Sequence, residues 1–228
     1  MSQRSKRYKA ARAMVTAGKA YEAVEAVALL KSQPPLKFDA SVEVHLRLGI
    51  DIKQANQQVR GSVVLPHGVG KTKKIAVFCG DDKAKAAKAA GAFVVGAEDL
   101  IKEIQTTGKC DFEVAVATPE MMKLLAPIAK ILGQKGLMPN PKTETITPDV
   151  AKAVENLNKG KVSFKADDTG NVHQMIGKLS FESTKLQENL STFIDAIKRV
   201  RPAGAKGSYI MSATLTTSMG PAVRIKTT

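Results

Sequence analysis

The stretch His67-Gly68-Val69-Gly70-Lys71-Thr72 ends in Gly-Lys-Thr, the close of a phosphate-binding loop. Such a loop needs a glycine five residues before Gly70, where this chain has Leu65. It also needs a helix next, whose N-terminal amides would hold the phosphate, and here a strand pattern follows. The segment therefore reads as a linker. A second glycine-rich stretch, residues 133–142, carries Lys135 and Lys142 around Gly136 and two prolines. It reads equally as a long connection between helices and as a loop whose amides and lysines touch phosphates.

Other reactive residues lack partners at useful spacing. His45, His67 and His173 are scattered, with no ligand-spaced neighbours for a metal. No serine sits near a His-and-acid arrangement visible in the sequence. Asp81-Asp82 and Asp167-Asp168 fall in turn segments, where carboxylates cap and bend the chain. Cys79 and Cys110 form no CxxC, so neither a cysteine zinc site nor a disulfide framework is expected. No cofactor is expected either.

Three features suit nucleic acid instead. Lys37-Phe38 follows Pro34-Pro35, a stiff entry presenting one cation and one aromatic face; Phe38 reads equally as core. Thr214, Thr216, Thr217 and Ser218 place small hydroxyls beside Met219-Gly220, where a sugar–phosphate backbone can come close. Taken alone, those threonines are ordinary strand formers. The basic residues from Arg4 to Arg12 form either a backbone contact or a solvated helix face.

The elements that must position these groups follow from periodicity. Residues 74–79, 92–95 and 112–117 are short apolar strands, alternating with helices over 83–90 and 97–105. Thr118-Pro119-Glu120 and Thr147-Pro148-Asp149 are helix starts, the second leading to Val150, Val154 and Leu157 at helical spacing. This alternation predicts a parallel α/β layer. Outside it, Val42, Val44, Leu46 and Leu48 alternate with Glu43, His45 and Arg47, as in a half-buried strand. Residues 61–65 form another strand. Residues 161–165 and 171–176 flank a turn and read as a hairpin. A helix follows over 186–200, then strands over 208–216 and 222–225.

Charge divides the chain the same way. The net formal charge is +14 across 228 residues. Residues 69–159 are nearly balanced, so the excess lies at the two ends. Two strands before the insertion cannot make a stable sheet alone. The fold expected is therefore α+β and α/β in two domains. A discontinuous, split α+β domain (1–68 with 160–228) is interrupted by an inserted parallel α/β domain (69–159), with a hinge at the two crossings.

So basic a chain implies an anionic partner, nucleic acid being the commonest. An aromatic content of 4% with no Trp argues against many stacking platforms. No apolar run is long enough to span a membrane. The first 21 residues hold six basic side chains and no acid, and read as a basic arm or helix rather than a transit peptide.

Several strings together resemble the bacterial L-one family of large-subunit ribosomal proteins. They are Lys37-Phe38-Asp39, Ser41-Val42-Glu43-Val44, Leu48-Gly49-Ile50-Asp51, Asn56 through Gly61, Leu65-Pro66-His67-Gly68, Ala117-Thr118-Pro119, Gly136 through Lys142, Ala205-Lys206-Gly207 and Ser218-Met219-Gly220-Pro221. They span essentially the whole chain, in order.

The resemblance implies a two-domain fold, a split βαβ-type domain with a Rossmann-like insertion, and no catalysis. It implies binding to 23S rRNA at the mobile stalk of the large ribosomal subunit, with assistance to exit-site tRNA movement and release. It implies repression of translation from the chain's own operon mRNA, in a cytoplasmic protein that is monomeric when free. Its RNA contacts map to Lys37, Phe38, Ser41, Glu43, Lys165, Asp167, Thr169, Ser212, Thr214, Ser218, Met219 and Gly220. Lys135, Gly136 and Lys142 would be a second, weaker contact.

The chain departs from the family pattern at three places. Gln134-Lys135 stands for Pro-Arg, Asp168 for a cation, and Ser218 for Thr. The competing readings are a nucleotide-dependent enzyme built on the α/β insertion and a free-standing nucleic-acid regulator. The enzyme would require a phosphate loop and a catalytic cluster, and the sequence offers neither.

Overall fold

The computed structural model describes residues 4–227. In chain order the elements are α1 (Lys6–Ala13), α2 (Ala23–Lys31), β1 (Ser41–Leu48), β2 (Arg60–Val64) and β3 (Ile75–Phe78). Next come α3 (Asp81–Ala89), β4 (Val94–Gly96), α4 (Glu98–Thr107), β5 (Val114–Ala117), α5 (Met121–Leu124), α6 (Ala129–Gln134) and α7 (Val150–Asn158). The chain closes with β6 (Lys161–Lys165), β7 (Asn171–Lys178), α8 (Ser183–Arg199), β8 (Ile210–Thr217) and β9 (Val223–Ile225). They fall into two compact units, one formed by the segments up to Gly70 and from Ser163, the other by Lys71–Val162.

The first unit is built on an antiparallel sheet of order β7-β1-β8-β9. Its inner strand β1 comes from before the insertion, and the other three strands come from after it. Alternation decides which face is buried. Val42, Val44, Leu46 and Leu48 are buried, as are Val172 and Ile176 of β7, Ala213 and Leu215 of β8, and Val223 and Ile225 of β9. Helices α2 and α8 pack over this side. Helix α2 offers Ala26, Val27 and Leu30, and ends where Pro34-Pro35 cannot continue it. Helix α8 offers Leu186, Leu190, Phe193 and Ile197 at i, i+4, i+7 and i+11, one apolar stripe.

Between them, Asn189 is fully buried with its amide satisfied. Its Oδ1 accepts from the His67 N–H (3.2 Å), and its Nδ2 donates to the carbonyls of Gly68 (2.9 Å) and Ile176 (2.8 Å). That fixes the residues just before Gly70 to the core of this unit.

The hairpin expected from residues 161–176 does not form. Strand β6 pairs with β2 in a separate two-stranded sheet, and β7 pairs with β1. The reason is a corner at Asp167. The Ala166 N–H bonds the Val59 carbonyl, while the Asp167 N–H bonds the Asn171 carbonyl. The chain thus leaves one ladder as it enters the other. Phe164 of β6 packs edge-to-face on Phe193, with ring centroids 5.6 Å apart, and Gly61 of β2 leaves room for its ring.

The second unit is a three-layer α/β/α arrangement around a parallel sheet of order β4-β3-β5. Ile75, Val77 and Cys79 face one side, with Val150, Val154 and Leu157 of α7 and Ala87 of α3. Ala76 and Phe78 face the other, with Ile101 and Ile104 of α4, Met121, Leu125, Ile128 and Leu132. Burial on both faces is why these strands read as unbroken apolar runs. Asp149 caps α7 through its side chain, which accepts from the Lys152 N–H. The helix expected from Thr118-Pro119 is only the single turn of α5. Pro127 interrupts it, and the chain continues as a 3-10 turn (Ala126–Ile128) before α6.

Candidate nucleic-acid interface

The second face of the four-stranded sheet is the one opposite α2 and α8. Residues that alternate with the buried set stand on it, and register aligns them in rows. Arg224 pairs with Thr214, Thr214 with His45, and His45 with His173. Arg47 pairs with Ser212 on one side and Asn171 on the other. Glu43 pairs with Thr216 and, across a bulge, with Met175. A single sheet face thus combines hydroxyls, two imidazoles, two guanidinium groups and one carboxylate.

The 218–220 loop closes one end of this face. The Ser41 N–H donates to Ser218 Oγ, and the Ser218 N–H donates to the Ser41 carbonyl. The Gly220 N–H bonds the Thr217 carbonyl at 3.0 Å. A Cβ at Gly220 would collide with Thr217 Oγ1 and Gln33 Oε1, so a larger residue would have to push those side chains aside. These bonds turn Met219 outward, 57% exposed. Arg7 of α1 donates to the Met219 carbonyl at 2.6 Å, bringing the basic N-terminal helix to the same loop.

Lys37 and Phe38 lie in the segment between α2 and β1. Phe38 is 53% exposed, which answers the core-or-surface alternative in favour of the surface. It lines an open cleft of about 590 Å³ with Lys31, Gln33, Lys37, Asp39 and Ser180. Gln33 is buried, accepts from Thr217 Oγ1 at 3.3 Å and links this cleft to the loop.

The Asp167 turn is self-contained. Asp167 Oδ1 accepts from the backbone N–H groups of Thr169 (2.9 Å) and Asn171 (2.7 Å). The Thr169 hydroxyl donates to the same carboxylate and accepts from Asn171 Nδ2. The Asn171 N–H first, with the Thr169 groups behind it, holds the carboxyl well below the usual carboxylate range. Asp167 and Thr169 therefore shape the turn, while Lys165 is exposed at the end of β6. Toward the sheet, Asp167 Oδ2 lies 3.4 Å from His173 Nε2.

Lys135, Gly136 and Lys142 belong to the second unit, in the connection between α6 and α7. Lys135 donates to the Gly108 carbonyl at 2.9 Å, and Gly136 is exposed with φ of 69°. The side chain of Lys142 lies outside those described. Among the described residues, no group of three or more His, Cys, Asp or Glu is placed to hold a metal, and no helix is long and apolar enough to cross a membrane.

Sequence reasoning missed His45, His173, Arg47, Arg224 and Gln33 as neighbours of this surface. The polar positions of β1 were legible in its alternation. Their partners on β7, β8 and β9 depend on a register that no local pattern encodes.

An antiparallel sheet covered by helices on one side, with hydroxyls and arginines on the other, defines an α+β protein whose open face carries groups of the kind that contact a sugar–phosphate backbone. The model of the ribosomal protein L1p/L10e family matches residues 29–221, and the chain belongs to that family. It is thus a ribosomal protein of the large subunit that binds rRNA, in a family of ribosomal proteins rather than enzymes.

Proposed function

We propose that the chain binds a structured segment of 23S rRNA at the mobile stalk through the open sheet face and the 218–220 loop. The observation that carries this reading is the loop itself. Ser41, Ser218 and Gly220 lock it with Met219 exposed, directly after strand β8, whose Thr216 pairs with Glu43 and whose Thr214 pairs with His45. Small hydroxyls and a glycine allow approach to ribose, and Glu43 accepts a 2′-hydroxyl or guanine amino proton. Lys37, Phe38, Ser41, Glu43, Lys165, Ser212, Thr214, Ser218, Met219 and Gly220 supply contacts, and Asp167 and Thr169 hold the adjoining turn.

The split domain (1–68 with 160–228) carries this binding. The insertion (69–159) adds a weaker contact through Lys135, Gly136 and Lys142. The chain assists exit-site tRNA movement and release, acts in the cytoplasm as part of the ribosome, and is monomeric when free. It performs no catalysis.

The same surface binds a similar structure in the chain's own operon mRNA and represses its translation. Competition tests this. A 23S stalk fragment should displace the labelled mRNA leader completely and at one site. Simultaneous binding of both RNAs would refute a shared surface.

A further inference from the structure

The row across the open face ends in an unusual set of contacts. His45 Nδ1 and His173 Nδ1 are 2.8 Å apart, with the rings edge-to-face at a centroid distance of 4.9 Å. Their outer nitrogens point at carboxylates: His45 Nε2 lies 4.0 Å from Glu43 Oε2, and His173 Nε2 lies 3.4 Å from Asp167 Oδ2. The set is a line of carboxylate, imidazole, imidazole, carboxylate.

Two of the line's contacts, at 2.8 and 3.4 Å, are hydrogen bonds that each take one N–H, while Glu43 at 4.0 Å acts on His45 through its charge alone. Two neutral imidazoles carry two N–H groups between them, and a singly protonated pair carries three. A doubly protonated pair would set two N–H groups against each other at Nδ1. Two neutral imidazoles therefore satisfy both hydrogen bonds, and one added proton places a third N–H at His45 Nε2, toward Glu43.

We propose that His45 and His173 belong to the RNA-binding surface and that RNA binding draws one proton onto the pair. The inference rests on the function proposed above. The charged neighbours are Glu43 and Arg47 on β1, Asp167 and Asp168 in the turn before β7, and Arg224 on β9, beyond Thr214. Strand β8 faces the pair with the neutral Ser212, Thr214 and Thr216. Burial and the second ring favour neutral His45 in the free protein, against the pull of Glu43. An RNA phosphate laid over the row adds negative charge and tips the balance toward the cation. By linkage, binding then tightens as pH falls through the range in which histidine titrates.

The test is calorimetric titration of a 23S stalk fragment into the full chain at pH 7, in two buffers of unlike ionisation enthalpy. The expected heats differ by the amount that uptake of roughly one proton requires, and Kd tightens roughly fivefold or more from pH 8 to pH 6. In His45→Gln and His173→Gln the buffer difference and the pH slope both shrink. Heats independent of buffer in the wild-type chain would overturn the inference and leave the RNA-binding reading intact. Undiminished uptake in both variants would place the proton elsewhere and overturn it too. Loss of competitor-resistant binding in the wild-type chain would overturn the reading beneath it. The wild-type comparison is decisive even if a variant fails to fold.

Discussion

Ser41 and Ser218 hold each other in both directions across 177 positions of sequence. The Ser41 N–H donates to Ser218 Oγ at 3.1 Å, and the Ser218 N–H donates to the Ser41 carbonyl at 3.1 Å. This clasp ties the start of β1 to the loop after β8. Ser218→Ala would leave the Ser41 N–H unpartnered at a residue only 9% exposed. The expected loss is about 1–3 kcal/mol. A thermal melt should read it as a fall of roughly 2–4 °C per kcal/mol. Ser218→Thr keeps the oxygen and should stay close to the wild-type chain.

Met219 separates binding from folding. Its side chain is mostly exposed, so Met219→Asp should change stability by no more than about 0.5 kcal/mol. Against RNA the new carboxylate meets phosphate. A unit charge at 4 Å is worth about 1 kcal/mol in water and about 4 kcal/mol near a protein surface, so affinity should fall at least roughly tenfold. Gel shifts beside thermal melts measure both quantities. Unchanged affinity would remove the 218–220 loop from the contact.

Asp167 gives the first unit an acid-sensitive turn. Its folded carboxyl titrates below its unfolded value, chiefly because of the Asn171 N–H. Its stabilisation is therefore complete above an unfolded pKa of about 3.9 and is lost as pH falls toward the folded value. Asp167→Asn should unfold at lower urea than the wild-type chain at pH 7, and the gap should narrow below about pH 4. A gap constant from pH 7 to pH 2.5 would contradict the hydrogen-bond account.

The split domain makes a prediction about dispensability. Replacing residues 71–160 with a short glycine linker should leave a folded protein with a cooperative melt and specific RNA binding. The core of the first unit draws on α2, β1, β7, α8, β8 and β9, all outside the deleted stretch. An insoluble or non-binding product would count against an RNA-binding domain formed by the ends alone.

What the sequence made legible follows from how local each signal is. Val42, Val44, Leu46 and Leu48 announce β1 because a half-buried strand repeats every two residues. The apolar run at Ile75 to Cys79 announces a strand buried on both faces. The turn at residues 167–170 was also legible, but not its consequence. Asp167 turns the chain from one ladder into another, a choice made by Val59, more than a hundred residues earlier. His45 and His173 are 128 positions apart, and only the antiparallel register places their rings together. Gln33 reads as an unremarkable polar residue after a helix. Its role beside Gly220 appears only once α2 has packed behind the loop.

The most direct test of the central claim is a gel shift of the full chain against a panel of 23S rRNA fragments, with excess tRNA and duplex DNA, at two salt concentrations. A surface that reads RNA shape predicts one fragment retained against competitor at both salts, and its loss in Met219→Asp. Uniform binding of all fragments, collapsing as salt rises, would show that the +14 charge acts through counterion release alone. That result would contradict specific recognition by the open sheet face.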